Sequence, residues 1–190
     1  SGGNLNAMDT AQVQLTSSSI ALVSGTFAVS DAACLQLTDS VLWLRGGDFQ
    51  FASSCSIGMV RSSIAVAMGN VVLSSGTSSI DAGSTLDVSG GSQTYTGSAV
   101  VLVDSSVIQV SAGGSLVFSG SSSFSGTMAT LQLMGGGTFL VSDNANVVLA
   151  SSSVSVSGGS LEVQQHSSLT LSSTAVVITQ GSLDAVGSSS

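Results

Sequence analysis

The chain repeats a hydrophobic pattern about every 22 residues, and this period constrains its fold more than any other feature of the sequence. One column of side chains recurs at steps of 22 or 23 residues and is apolar at every position but one: Leu5, Phe27, Phe49, Val71, Gln93, Leu116, Phe139, Leu161 and Leu183. A second column lies two residues further on in each repeat, from Ala7 to Ala185. A fixed period of this length is typical of solenoids, in which each repeat stacks on its neighbours.

Two more pairs of apolar columns follow in each repeat, and they begin at Val13 with Leu15 and at Ile20 with Leu22. Each pair is spaced by two residues, which is the period of a strand with one face turned inward. We therefore predict an all-β parallel β-helix with about 22 residues and three strands per coil. It has eight full coils and a partial ninth, and forms a single domain over residues 1–190. At ~4.8 Å per coil the rod is roughly 40 Å long, and we expect it to be a segment of a longer chain or filament.

Small residues mark the corners between the strands. Glycine pairs open several repeats, and a column of small hydroxyl residues precedes the third strand: Ser18, Ser40, Ser62, Ser84, Ser106, Ser152 and Thr174. Such hydroxyls can bond to backbone groups or to each other. Two one-residue insertions, around Ala112 and Gly135, fall at the same corner. Ser79 and Asp81 break an inward column, so we expect a register shift that turns Ile80 and Ala82 inward and leaves Gln93 as a buried amide.

A coil of about 22 residues with three strands and a Gly-x-φ-x-φ opening, where φ is apolar, resembles the parallel β-helix of autotransporter passengers. Polymorphic outer-membrane proteins and related surface adhesins share this pattern. Openings such as Gly2-Gly3 and Gly46-Gly47 carry the resemblance along the whole chain. It implies a right-handed coil and a location outside the cell or on its surface.

Composition excludes several classes of partner. The chain has ten acidic residues, two arginines and no lysine, for a net charge of −8. This charge disfavours nucleic acid, because the two arginines do not form a basic patch that could neutralise phosphates. No run of about 18 apolar residues occurs, so we predict no membrane span. Neither a cofactor motif nor a metal-ligand spacing is present, and we predict no cofactor and no metal.

Three groups of residues are candidates for chemistry. Cys34 and Cys55 lie on adjacent coils at a diagonal separation of ~6 Å that permits a disulfide, although they align with outward and inward residues respectively. The sequence is compatible with a disulfide and with two free thiols, and a disulfide would indicate an extracellular setting. Asp9 and Asp31 stack at one corner, where a carboxyl pair suits glycosidase chemistry but also suits bonding of turn backbone. His166 is the only histidine, and we interpret it as a solvated corner residue.

Outward side chains suggest an interface. Trp43 points outward on a third strand, where an aromatic ring suits a carbohydrate or protein contact. Val72, Val117 and Leu140 form an apolar row on the first strands, as expected for an interface. We therefore predict a non-enzymatic extracellular structural protein, a rigid segment of a fibre or surface filament that self-associates end to end or laterally. The alternatives are an adhesin or autotransporter passenger that displays a binding face to a carbohydrate or protein ligand, and a polysaccharide-active enzyme.

Overall fold

Each strand of the chain pairs in parallel with the strands one coil before and one coil after it. The computed structural model describes residues 3–81 and 83–187, and in these residues the chain forms three parallel sheets and no helix. The strands follow one another in the order first, second, third sheet, so that consecutive strands never pair with each other. This topology is a parallel β-solenoid, and it confirms the fold predicted from the period.

The first sheet has nine strands: β1 Gly3–Ala7, β4 Gly25–Val29, β7 Gly47–Phe51, β10 Gly69–Leu73, β13 Ser92–Tyr95, β16 Ser115–Phe118, β19 Thr138–Val141, β22 Ser160–Gln164 and β25 Ser182–Val186. The second sheet has eight: β2 Gln12–Thr16, β5 Cys34–Thr38, β8 Ser56–Val60, β11 Thr77–Asp81, β14 Val100–Asp104, β17 Ser123–Thr127, β20 Asn146–Ala150 and β23 Ser168–Ser172. The third sheet has eight as well: β3 Ser19–Leu22, β6 Val41–Leu44, β9 Ser63–Val66, β12 Thr85–Ser89, β15 Val107–Ser111, β18 Thr130–Met134, β21 Ser153–Ser157 and β24 Ala175–Ile178. Eight complete coils and the first strand of a ninth result.

The apolar columns of the sequence form one continuous core. Side chains alternate between buried and outer positions along each interior strand, as in β6, where Leu42 and Leu44 are buried and Trp43 is exposed. Aromatic rings pack against each other from coil to coil within this core. Phe27 and Phe49 meet edge to face with ring centroids 4.7 Å apart, and Tyr95 stacks on Phe118 at 4.9 Å.

One turn between the first and second sheets is a residue shorter than its neighbours. Ser74–Gly76 connects β10 to β11 in three residues where the coils on either side use four, and three residues also follow β11 where other coils use two. The missing residue before β11 and the extra residue after it shift the sequence of β11 by one position relative to the strands on either side. Ile80 is buried, as predicted, and Ser78 is buried two residues before it on the same strand. Ala82 lies outside the described residues.

Left-handed backbone geometry recurs at the corners. After the first strand, Asp9, Asp31 and Asp143 have φ values of 63°, 62° and 60°. Aspartate tolerates this region better than most residues, because its short side chain bonds to nearby backbone. Both predicted one-residue insertions lie at the corner between the third and first sheets, where β15 and β18 are each followed by three residues and not two.

The small hydroxyl column forms a ladder at the corner between the second and third sheets. The hydroxyl of Ser62 donates to the carbonyl of Val60 at 2.8 Å and accepts the backbone N–H of Ser40 at 3.1 Å. Ser40 repeats the arrangement one coil earlier, and Ser152 does so late in the chain. These serines are buried, so the predicted hydrogen bonding to backbone satisfies groups that would otherwise lack water.

Candidate functional site

The stacked aspartates bond to backbone at their corner. One carboxylate oxygen of Asp31 accepts the backbone N–H of Asp9 at 3.2 Å and the hydroxyl of Ser30 at 3.2 Å. Asp143 acts in the same way on the N–H of Gly120 at 3.1 Å. The structure therefore places Asp9 and Asp31 together, as predicted, and gives the Asp31 carboxylate a role in the turn.

The two cysteines point in different directions. Cys34 is half-buried on the outer side of β5, whereas Cys55 is buried in the column of Ala33, and both are free thiols. Burial raises the pKa of the Cys55 thiol, which makes it a poor nucleophile. The structure thus holds no disulfide between these residues.

His166 is exposed at the corner after β22. Within residues 3–81 and 83–187, no three side chains of the His, Cys, Asp or Glu type lie close enough together to hold a metal ion. The same part of the chain contains no helix long and apolar enough to cross a membrane.

The predicted apolar row lies on the outer face of the first sheet. Val72 pairs with Thr94, which pairs in turn with Val117 and then with Leu140, so the four side chains are consecutive along the stack. All four are half-buried by their neighbours. Glu162 ends the row on the next coil.

A more developed site surrounds Trp43 on the outer face of the third sheet. The indole is 43% exposed, and its strand neighbours on the two adjacent coils are Ala21 and Ala65. Because both neighbours are alanines, the indole stands above its surroundings with a hollow on each side. The guanidinium carbon of Arg45 lies 4.6 Å from the centre of the indole ring, a cation–π contact that holds both side chains in place.

Asp87 forms the opposite wall of one of these hollows. It pairs with Ala65 from the far side, so that Trp43 and Asp87 are two coils apart with Ala65 between them. The hollow has a volume of about 190 Å³, and Ala67 and Ser89 complete its lining. A second hollow of about 340 Å³ lies over Ala21 on the other side of the indole.

The Asp87 carboxylate is partly desolvated. Its Oδ1 atom is shielded from solvent and has no hydrogen-bond partner among the described residues. Burial raises the pKa of Asp87 above its ordinary value. The sequence pattern identifies Trp43 as a candidate site residue but does not identify Asp87. The available signal was their separation of 44 residues, two repeats of 22, which places both side chains in one outward column.

The other arginine is engaged elsewhere. Arg61 forms a two-pronged ion pair with Asp39 one coil earlier, with N–O distances of 2.7 Å and 2.8 Å. The hydrogen bonds from Arg61 lower the pKa of Asp39. Arg61 is thus paired along the stack, whereas Arg45 lies against an aromatic ring beside a cleft.

Gln93 and Tyr95 form a polar contact inside the core. The Gln93 amide donates to the Tyr95 hydroxyl, and the Gln93 Oε1 atom is buried without a partner among the described residues. Burial raises the pKa of Tyr95, and hydrogen bonds to Ser78 and Gln93 oppose that shift. Ser78 is the residue that the short turn before β11 brings inward, and it lies one coil before Gln93 and Tyr95.

Comparison of the chain with protein-family models, with curated proteins and with solved structures found no match in any of the three. The resemblance to autotransporter passengers therefore stays a prediction, and the fold itself is what the structure establishes.

Proposed function

We propose that this protein is a non-enzymatic structural element, a rigid β-solenoid segment of an extracellular fibre or surface filament. The observation that carries the proposal is the uniform stacking of the coils, in which each strand pairs in parallel with the strands one coil away over one continuous core. Inward-facing apolar side chains of the same columns are exposed on the outermost described strands, at Leu5, Leu171, Ile178 and Leu183. The same columns are buried throughout the interior coils.

The partner that we propose for these exposed side chains is a second copy of the chain. A parallel sheet that ends in unpaired N–H and C=O groups is a template for another strand. The columns of one end continue those of the other, since Leu5 and Leu183 belong to the same repeat position. Stacking would bury apolar area at ~25 cal/mol per Å² and pair the free backbone groups.

The absence of enzymatic activity is part of this proposal. The best-placed carboxyl pair, Asp9 and Asp31, is supported as a turn element because Asp31 already accepts two hydrogen bonds. A polysaccharide that the protein cleaves, and that the Asp9→Asn, Asp31→Asn double variant leaves intact, would overturn this part.

Light scattering as a function of concentration tests the association. We expect the mean mass to rise with concentration, and Ile178→Lys with Leu183→Lys to prevent the rise, because each lysine places a charge in the stacking surface. Gln109→Lys with Gln132→Lys is the matched control, since these residues lie on the outer face of interior coils. A constant monomer mass, or equal effects of both pairs, would contradict end-to-end stacking.

The apolar row gives the lateral alternative its own test. Val117→Lys with Leu140→Lys should spare end-to-end stacking, because both residues lie on the outer face of the first sheet. If this pair abolishes association while the variants at Ile178 and Leu183 do not, side-by-side packing of copies replaces stacking as the mode of assembly.

A further inference from the structure

We propose that the cleft between Trp43 and Asp87 binds a neutral sugar ring, a site that goes beyond a structural role and does not depend on it. The cleft lies on the outer face of interior coils, so it is present in a single rod and in a filament of stacked rods.

The shape of the cleft favours a flat ligand. Trp43 and Asp87 are separated by two strand spacings, or ~9.6 Å between backbones, and Ala65 forms the floor between them. The volume of about 190 Å³ suits a single ring and not a folded peptide.

The charges of the walls favour a ligand without net charge. Arg45 lies on the tryptophan side and Asp87 on the other side, and the described residues form no ion pair between them. A cation would meet Arg45 and an anion would meet Asp87, so either one faces a like charge. Hydroxyl groups both donate and accept, and a sugar can donate to the carboxylate while it accepts from the guanidinium.

The indole supplies the apolar contact that a sugar ring needs. One face of a pyranose carries C–H groups, which pack on the electron-rich face of an aromatic ring as cations and other rings do. Arg45 already fixes the Trp43 ring at 4.6 Å, so little side-chain entropy is lost on binding. The Oδ1 atom of Asp87 has no partner among the described residues and is shielded from solvent, so a sugar hydroxyl would bond to it once the carboxylate turns towards the cleft.

Trp43 is the only tryptophan of the chain, and its fluorescence reports on the cleft directly. The probes are the methyl glycosides of glucose, galactose, mannose and N-acetylglucosamine, with choline and acetate as charged comparators. We expect a saturable change in Trp43 emission with at least one glycoside, in the millimolar range that a single ring in an open cleft allows. The proposal would be overturned if none of the probes gave a saturable change in emission. It would also be overturned if only choline or only acetate did so.

Two variants connect the signal to the cleft. Asp87→Asn should weaken glycoside binding about tenfold, because a charged acceptor is replaced by an amide. Ala65→Leu should abolish binding by filling the floor, while it keeps both walls. Asp104→Asn is the control, since it removes the same charge from an exposed position on the second sheet. Equal weakening by Asp87→Asn and Asp104→Asn, or binding that survives Ala65→Leu in a folded protein, would contradict the site.

Discussion

Single hydroxyl groups connect the coils of this protein at the corner between the second and third sheets. Four ladder serines each close their own turn and accept an N–H from the coil before, so one side chain satisfies two backbone groups: Ser40, Ser62, Ser84 and Ser152. The ladder has a gap at position 129, where an alanine replaces the hydroxyl residue. Ala129 is buried, and its own N–H still donates to the hydroxyl of Ser152 at 3.1 Å, so the ladder continues on the next coil.

Removal of one ladder hydroxyl should therefore cost more than its size suggests. Ser62→Ala leaves the N–H of Ser40 and the carbonyl of Val60 without this partner, and we expect a loss of about 1–3 kcal/mol. Thermal unfolding measures it, at about 2–4 °C per kcal/mol for a chain of this length. Ser63→Ala changes the next residue, on the outer face, and should leave the melting temperature nearly unchanged. Equal losses for the two variants would mean that the ladder contributes nothing specific.

The buried Gln93 and Tyr95 side chains should behave as a unit. Tyr95→Phe leaves the Gln93 amide unpartnered in the core, which costs about 1–3 kcal/mol. Adding Gln93→Leu should recover much of this loss, because Val71 and Leu116, the strand partners of Gln93, are apolar. A double-mutant cycle in chemical denaturation measures the coupling. Strictly additive losses would show that the two polar groups do not depend on each other.

Asp87 should make stability depend on pH in the direction opposite to most carboxyl groups. Its pKa is raised in the folded state, so the folded protein holds the proton more tightly than the unfolded chain does. Asp87 contributes its full stabilisation at pH values below its pKa in the unfolded chain, about 3.8. This contribution is lost as the pH rises through the pKa of Asp87 in the folded protein. Asp87→Asn should therefore raise the melting temperature at neutral pH by a few degrees at most, and the gain should vanish below pH ~4. A lower melting temperature for Asp87→Asn at neutral pH would mean that the carboxylate stabilises the fold.

At the scale of the strands, most of the architecture follows from the sequence because side-chain direction alternates along a strand and the alternation restarts at every corner. The columns at Leu42 and Leu44 could be assigned by counting alone. The register of β11 could be assigned only in part, since the short turn before it brings Ser78 inward and sequence spacing does not reveal which corner has lost a residue.

The site around Trp43 was predictable to a similar degree. The outward direction of the indole followed from its place between two core leucines. The cleft could not be predicted, because it forms where Ala21 and Ala65 have small side chains. A small outward residue does not change the pattern of buried apolar positions. The desolvation of Asp87 likewise depends on the packing of neighbouring coils.

Substitutions on adjacent residues of one strand test the assignment of faces. Val156→Asp should cost about 4 kcal/mol or more, because it buries an unpaired charge in the third sheet's inward column. Ser155→Asp places the same carboxylate on the outer face of β21 and should cost less than about 1 kcal/mol. Urea denaturation compares the two variants. Similar stabilities would contradict the inward and outward assignment of the whole column.

At the scale of the molecule, uniform stacking makes the rod continuous. Its sides carry serines, threonines and amides together with the apolar row and Trp43, over one buried core. Each coil contacts only its neighbours, so the interactions that join two coils within the chain are the same interactions that would join two chains. This equivalence is the physical basis for the structural role that we propose.

Electron microscopy of the purified chain tests that role most directly. The account predicts rods that join end to end into filaments of uniform width, with an axial repeat of ~4.8 Å from the stacked strands. Separate rods roughly 40 Å long at every concentration, with no filaments, would contradict it.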